Sequence, residues 1–142
     1  MAVRLFVFRP VSPPAGERYA ASRLGGDEFR LEVADTPARR ARGLAGRGEL
    51  GANDGMFFRF DIPARRTFWM KGMRMPIDII WLRDGVVSGI VKRAAPPPPG
   101  AADADIPRFI SPGPADAVIE ILAGRAAELG LRVGQRVEVL LP

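Results

Sequence analysis

The stretch TFWMKGMRMPIDIIWLRDGVV, Thr67–Val87, holds both tryptophans and one of the two lysines of the chain, with a single Asp inside its apolar run. Its second half decides the fold. Asp84-Gly85 between β-rich runs is a two-residue hairpin signal, and the register follows from it: Arg83 opposite Val86, Leu82 opposite Val87, Ile80 opposite Gly89, Asp78 opposite Val91. One face of the predicted hairpin then carries Asp78, Ile80, Leu82, Val87, Gly89 and Val91. The other carries Ile77, Ile79, Trp81, Ser88, Ile90 and Lys92. Both faces are apolar, which predicts a hairpin central in a closed or doubly covered sheet. Asp78 is a carboxylate on an apolar face and must find a partner or a wet cavity. Lys71 is the favoured partner, with Arg93, diagonal on the hairpin, and backbone N–H groups as the alternatives.

Working outward, Phe29, Leu31 and Val33 alternate with Arg30 and Glu32, the period of a half-buried strand. Thr36-Pro37 reads as a helix start and Gly43 as its stop. Strands are expected over Gly55–Phe60, Thr67–Met70 and Val118–Leu122. A short helix follows over Gly124–Leu129, and then a strand in which Val137 and Val139 alternate with charged residues. Pro96–Pro99 and the following GAADAD read as an exposed loop. Met1–Gly26, with a possible strand at Val3–Phe8 and then Pro, Gly and Ser, reads as an extension or linker. Residues 27–142 then form a single domain, and 142 residues suffice to bury an independent core.

Composition narrows the chemistry. There is no cysteine and no histidine, which excludes thiol nucleophiles, disulfides, zinc thiolates and imidazole acid–base catalysis. No carboxylate spacing suggests a metal site, and no cofactor signature is present. The net charge is +5, from 21 basic and 16 acidic residues. The bases are interspersed with acids and not gathered into a block with stacking aromatics, so specific nucleic-acid binding is not expected. No segment approaches the ~18 apolar residues of a bilayer span, and a soluble cytoplasmic protein without membrane association is expected.

The motifs RARGLAGRGEL (Arg40–Leu50), DGMFFRF (Asp54–Phe60), FWMKGMRMPIDIIWLRDGVV (Phe68–Val87) and AVIEILAGRAAELGLRVGQRV (Ala117–Val137) together resemble the bacterial family called domain of unknown function 192. The resemblance spans about Phe29 to Leu140 and rests most on the FWMK…PIDI block. It implies a compact, mostly β fold, a partly open β-barrel with one or two short helices, and no established activity. Matching elements include Arg42, Gly43, Leu44, Gly55, Met56, Phe68, Trp69, Met70, Lys71, Pro76, Asp78 and Glu120. The chain departs from the family pattern at Ala45, where Met is usual, at Gly72, where Asn is frequent, and at Arg39, where Glu is often found.

The candidate site residues are Arg42, Trp69, Met70, Lys71, Asp78 and Glu120. Each has a commoner structural role: Trp69 and Met70 as core or cavity wall, Lys71 and Asp78 as an ion pair fixing register, Arg42 beside a helix stop, Glu120 in an internal ion pair. The leading functional reading is a non-enzymatic binding module, holding a small anionic or amphipathic ligand or a peptide in an apolar cleft with a few charges. The alternative is an enzyme using Asp78 or Glu120 as acid–base with Lys71 or Arg42 as electrostatic stabiliser. A third reading is a nucleic-acid-binding barrel of the AbrB type, from the helix–turn–strand pattern of the C-terminal segment.

Overall fold

The structure, a computed structural model, describes residues 16–142, so the strand expected over Val3–Phe8 lies outside the described residues. The first element, Tyr19–Leu24 (β1), buries Ala20, Ser22 and Leu24 in alternation. It turns through Gly25-Gly26 into Asp27–Ala34 (β2), which buries Phe29, Leu31 and Val33. The ordered sheet thus begins before Asp27. Ala and Ser have weak strand propensity, which is why composition assigned β1 to the extension.

Thr36 caps Pro37–Arg42 (α1), its hydroxyl oxygen accepting from the Arg39 N–H at 3.2 Å, and Gly43 ends the helix. The remaining elements are Asp54–Ala64 (β3), Thr67–Trp69 (β4), Ile77–Arg83 (β5), Val86–Ala94 (β6), Arg108–Ile110 (β7), Ala115–Leu122 (β8), the helix Arg125–Glu128 (α2) and Val139–Leu140 (β9). Strands order as β6-β5-β8-β3-β2-β1-β9 in one sheet, and β4 pairs with β7 in a second. The large ladder does not close. The architecture is therefore mostly β, with two short α-helices among the described residues and an open sheet, short of the partly open barrel expected from the family resemblance. No helix among the described residues is long and apolar enough to cross a membrane.

The hairpin forms at Asp84-Gly85, with Arg83 opposite Val86 and Leu82 opposite Val87 as expected. Beyond that point the register differs from the simple count. Trp81 faces Gly89, Ile80 faces Ile90 and Ile79 faces Val91, because Ser88 is an extra residue on β6. Such a bulge returns each later side chain of β6 to the other face. Ile90 consequently packs with Ile80, Leu82 and Val87, and Val91 with Ile77, Ile79 and Trp81.

The hairpin also lies at one end of the sheet and not at its centre. Its outer edge is nevertheless covered by the C-terminal segment. Val87 N–H donates to Gln135 O at 2.9 Å, Gly134 N–H to Val87 O at 2.8 Å, and Val137 N–H to Gly85 O at 2.7 Å. Those bonds occupy an edge that would otherwise template pairing with another chain.

Both hairpin faces are apolar because the sheet is packed on both sides. On one side Ile80, Leu82, Val87, Ile119 and Ile121 meet Phe29, Leu31, Ala126, Leu131 and Val137. On the other, Ile77, Ile79, Trp81, Val118 and Phe58 meet Leu44, Met70, Met73, Met75 and Ile106.

Asp78 points into the first of these cores and is fully buried. Its Oδ1 accepts from the Arg93 N–H and its Oδ2 from the Ala126 N–H, each at 2.8 Å. The expected Lys71 partner is not there: Lys71 begins an exposed turn after β4 and pairs with Asp103 at 2.9 Å. Arg93 does meet the carboxylate, but through its backbone, at a second irregularity where Lys92 and Arg93 lie between the Ile79–Val91 and Ile77–Ala94 pairs. Arg93 has a left-handed φ of +54°, a conformation that non-glycine residues adopt only when the surroundings impose it. Removing the carboxylate leaves the part-buried Arg93 N–H and the buried Ala126 N–H without this acceptor. Asp78→Ala is therefore expected to destabilise the fold by about 3–5 kcal/mol in chemical denaturation, with Asp78→Asn losing less because one carbonyl oxygen remains.

Candidate functional site

Strand alternation on β8 sends Ile119 and Ile121 to one core and Val118 and Glu120 to the other. Opposite Glu120 in the ladder are Met56 on β3 and Ile79 on β5. The side chain thus enters an environment without a basic cross-strand neighbour. Glu120 is only 6% exposed and has no hydrogen-bond or ion-pair partner among the described residues. Burial raises its pKa from 4.5 to about 8, because the charged form loses its hydration and gains nothing in exchange. Near neutral pH this carboxyl group is largely protonated.

Above Glu120 lies a cavity of about 280 Å³. The loop after α1 forms one wall, Phe58 and Phe60 of β3 the back, and the Thr67–Lys71 segment the other wall. Glu120 and Phe58 are the buried floor, while Arg42, Trp69 and Lys71 stand at the exposed rim. The aromatic wall is ordered by edge-on contacts, Phe58 to Phe68 at 4.9 Å and Phe68 to Trp81 at 5.3 Å between ring centres. Such contacts fix ring orientation beyond what area burial alone would do.

Two departures from the family pattern meet at the rim. Gly46 N–H donates to Gly72 O at 2.8 Å, drawing the α1 loop onto the turn after β4. A side chain at Gly72 would place its Cβ 3.2 Å from the Ala45 Cβ. Gly72 has φ of +72°, which Gly and Asn tolerate best. Small residues at both positions let the two walls approach while leaving the rim open.

The cations around the cavity differ in how far they are committed. Arg40 donates to Arg59 O at 3.0 Å and lies 5.1 Å over the Phe60 ring. Lys71 bonds Asp103 and lies 5.1 Å from the Trp69 ring, whose other approach is Arg108 at 4.6 Å. Arg42 has no such partner among the described residues.

Of the six residues singled out from the sequence, the cavity brings together Arg42, Trp69, Lys71 and Glu120. Met70 is 1% exposed and belongs to the core behind the wall. Asp78 projects to the opposite side of the sheet, where both oxygens are bonded. Sequence reading missed Phe58 and Phe60. The signal was present in GMFFRF, since alternation places Met56, Phe58 and Phe60 on one face. Nothing in the sequence indicated that Glu120 shares that face. Among the described residues no group of three or more acidic, His or Cys side chains could hold a metal ion.

An open sheet packed on both sides, with a small aromatic cleft closed by an unpaired acid, is the scaffold on which the comparisons bear. The profile of domain of unknown function 192 (DUF192), described as an uncharacterised ACR family, matches residues 20–139. The chain belongs to that family. No curated protein matches it. Among solved structures it is similar to a protein of unknown function from Novosphingobium aromaticivorans, at 35% identity over 93% of this chain and 94% of that one, with a TM-score of 0.77. It is also similar to a protein from Sinorhizobium meliloti described provisionally as a transcription regulator, at 25% identity over 87% of this chain and 94% of that one, with a TM-score of 0.74.

The raised Glu120 pKa has a consequence for stability. The folded state holds a proton that the unfolded state releases between about pH 4.5 and 8. Stability from this group is therefore complete below 4.5 and is lost as pH rises to about 8, at up to ~1.4 kcal/mol per pH unit. Urea denaturation across this range is expected to show that slope in the wild-type protein. Glu120→Gln, neutral at every pH, is expected to flatten it.

Proposed function

We propose that the protein is a non-enzymatic binding module whose cleft accepts a small amphipathic ligand. The observation that carries this reading is the cleft itself: apolar rings at the back, a cation at the rim and a buried acid at the floor, neither with a partner among the described residues. A cavity of about 280 Å³ lies just below the ~300–1,000 Å³ typical of ligand pockets, and its make-up, apolar with a few placed polar groups, is theirs. A buried acid with no partner among the described residues is costly to fold around, which favours a role in binding. A peptide side chain entering the cleft would meet the same groups, and a cytoplasmic location suits either ligand.

A second reading draws on one specific observation. A carboxyl group protonated near neutral pH is suited to act as a general acid. On that reading Glu120 would donate a proton and Arg42 or Lys71 would stabilise the developing charge. Beside Glu120 the cleft presents no second carboxylate among the described residues, its Lys71 is paired with Asp103, and Asp78, on the far side of the sheet, is fully engaged. Binding is therefore the reading adopted. Behind the nucleic-acid reading stand the helix–turn–strand pattern of the C-terminal segment and the provisional description of the Sinorhizobium protein.

The two tryptophans make the test specific, since Trp69 is 37% exposed at the rim and Trp81 is 1% exposed in the core. In a thermal-shift screen of metabolites and amphipathic anions, a ligand at 100 times its dissociation constant is expected to add ~2.7 kcal/mol of stability. The same ligand is expected to change the tryptophan emission of the wild-type protein and to leave that of Trp69→Phe unchanged. Stabilisation without a Trp69-dependent signal would place the ligand elsewhere.

A further inference from the structure

The two ionisable groups of the cleft that lack a partner among the described residues are Glu120 at the floor and Arg42 at the rim. The other cations are committed, Arg40 to the Arg59 carbonyl and Lys71 to Asp103. An occupant that satisfies both free groups must present opposite polarity at its two ends. Its inner end must be a donor to a carboxyl group surrounded by apolar side chains, and its outer end must be an acceptor for a guanidinium. Between them lie Phe58 and Phe68, which offer ring surface and no polar atom.

We propose that the cleft takes a compact dipolar molecule, an ammonium group inserted to Glu120 and a carboxylate left at the rim on Arg42, with its apolar middle against Phe58 and Phe68. The inference rests on the binding reading above and adds the chemical class of the ligand. An inner ammonium is favoured over a second neutral polar group because an isolated carboxyl in low dielectric gains most from an opposite charge brought into contact. An inner anion gains one hydrogen bond from the neutral acid and is repelled once Glu120 ionises, whereas an inner ammonium is attracted by the ionised group.

The proton balance follows. The amine arrives as an ammonium, already protonated at neutral pH. Glu120 arrives as the neutral acid, whose proton burial retains up to about pH 8. Forming the ion pair transfers the Glu120 proton to solvent, one per ligand bound, and breaks no other bond. Below about pH 8 the affinity therefore rises about tenfold per pH unit, and it levels off above, where Glu120 is already ionised. The groups that could alter this balance are few. On the Glu120 face, β3 presents Met56 and Phe58 and β5 presents Ile77, Ile79 and Trp81, none of them titratable. The charged neighbours are Arg40 and Arg42 from α1 and Lys71 from the turn after β4.

Titration calorimetry of the full chain with a series of ω-amino acids, from γ-aminobutyrate to ε-aminocaproate, tests this, with valerate and n-pentylamine as one-ended controls. Measurements in two buffers of different ionisation enthalpy count the protons released. At least one ω-amino acid is expected to bind more tightly than either control and to release about one proton at neutral pH. Glu120→Gln is expected to abolish the release and weaken binding by at least ~10-fold, and Arg42→Ala, at an exposed position that the fold does not need, to reduce the ω-amino acid to the level of n-pentylamine. Valerate binding as well as the best ω-amino acid, or binding without proton release, would overturn the dipolar ligand. If no ω-amino acid binds while other molecules give a Trp69-dependent signal, this inference fails and the cleft stands. If nothing gives that signal, the binding reading fails with it.

Discussion

The carboxylate of Asp78 is the constraint on which the rest of the fold depends. From the interior of β5 it accepts one N–H from the irregular end of β6 and another from the first turn of α2. Three segments distant in the chain are thereby fixed to one another inside an apolar core. Backbone donors at such places have no ladder partner and are costly when buried bare. A charged acceptor meets two of them at once, with bonds stronger than neutral ones. The site has the logic of a cap placed in the middle of a sheet, and its partners are backbone atoms, so no cation was needed.

Glu120, also an acid and on the neighbouring strand β8, shows the opposite outcome. Asp78 pairs with Ile121 across the β5–β8 ladder, one position away from Glu120. Because successive residues of a strand face opposite ways, the two carboxyl groups lie on opposite sides of the sheet. One side supplies two N–H donors and the other supplies rings and methionines. The first acid becomes part of the structure, and the second is left neutral and available. Local rules are broken in a folded protein mainly where function requires it, and the acid on the apolar floor of the cleft is such a break.

The cleft above Glu120 depends on the connection between β2 and β3. These strands run parallel, so the intervening chain must cross from one end of the sheet to the other, and it does so through α1 and the glycine-containing loop behind it. That crossing brings Arg42 and Ala45 over the β3 rings. The β4–β7 ribbon approaches from the other side, with Trp69 opposite Arg108. Neither wall belongs to the large sheet. The cleft is where two appendages meet over its face.

Much of this was legible in the sequence. Alternating apolar residues determine β2, a short β-branched run marks β8, Thr36-Pro37 and Gly43 bound α1, Asp84-Gly85 sets the hairpin turn, and the burial of Asp78 follows from its apolar neighbours. These are local consequences of side-chain period and backbone preference. The bulge at Ser88 was not legible, since an extra residue leaves no compositional mark, and its insertion changed the faces of Gly89, Ile90 and Val91 before the second irregularity restored that of Ala94. β1 was missed because Ala and Ser carry little strand preference and are recruited by their neighbours. The partners of the charges were decided only by the tertiary structure. Lys71 found Asp103, Asp78 found two backbone donors and Glu120 found none among the described residues, because pairing depends on which distant segments a fold brings within reach, and sequence spacing does not encode that distance.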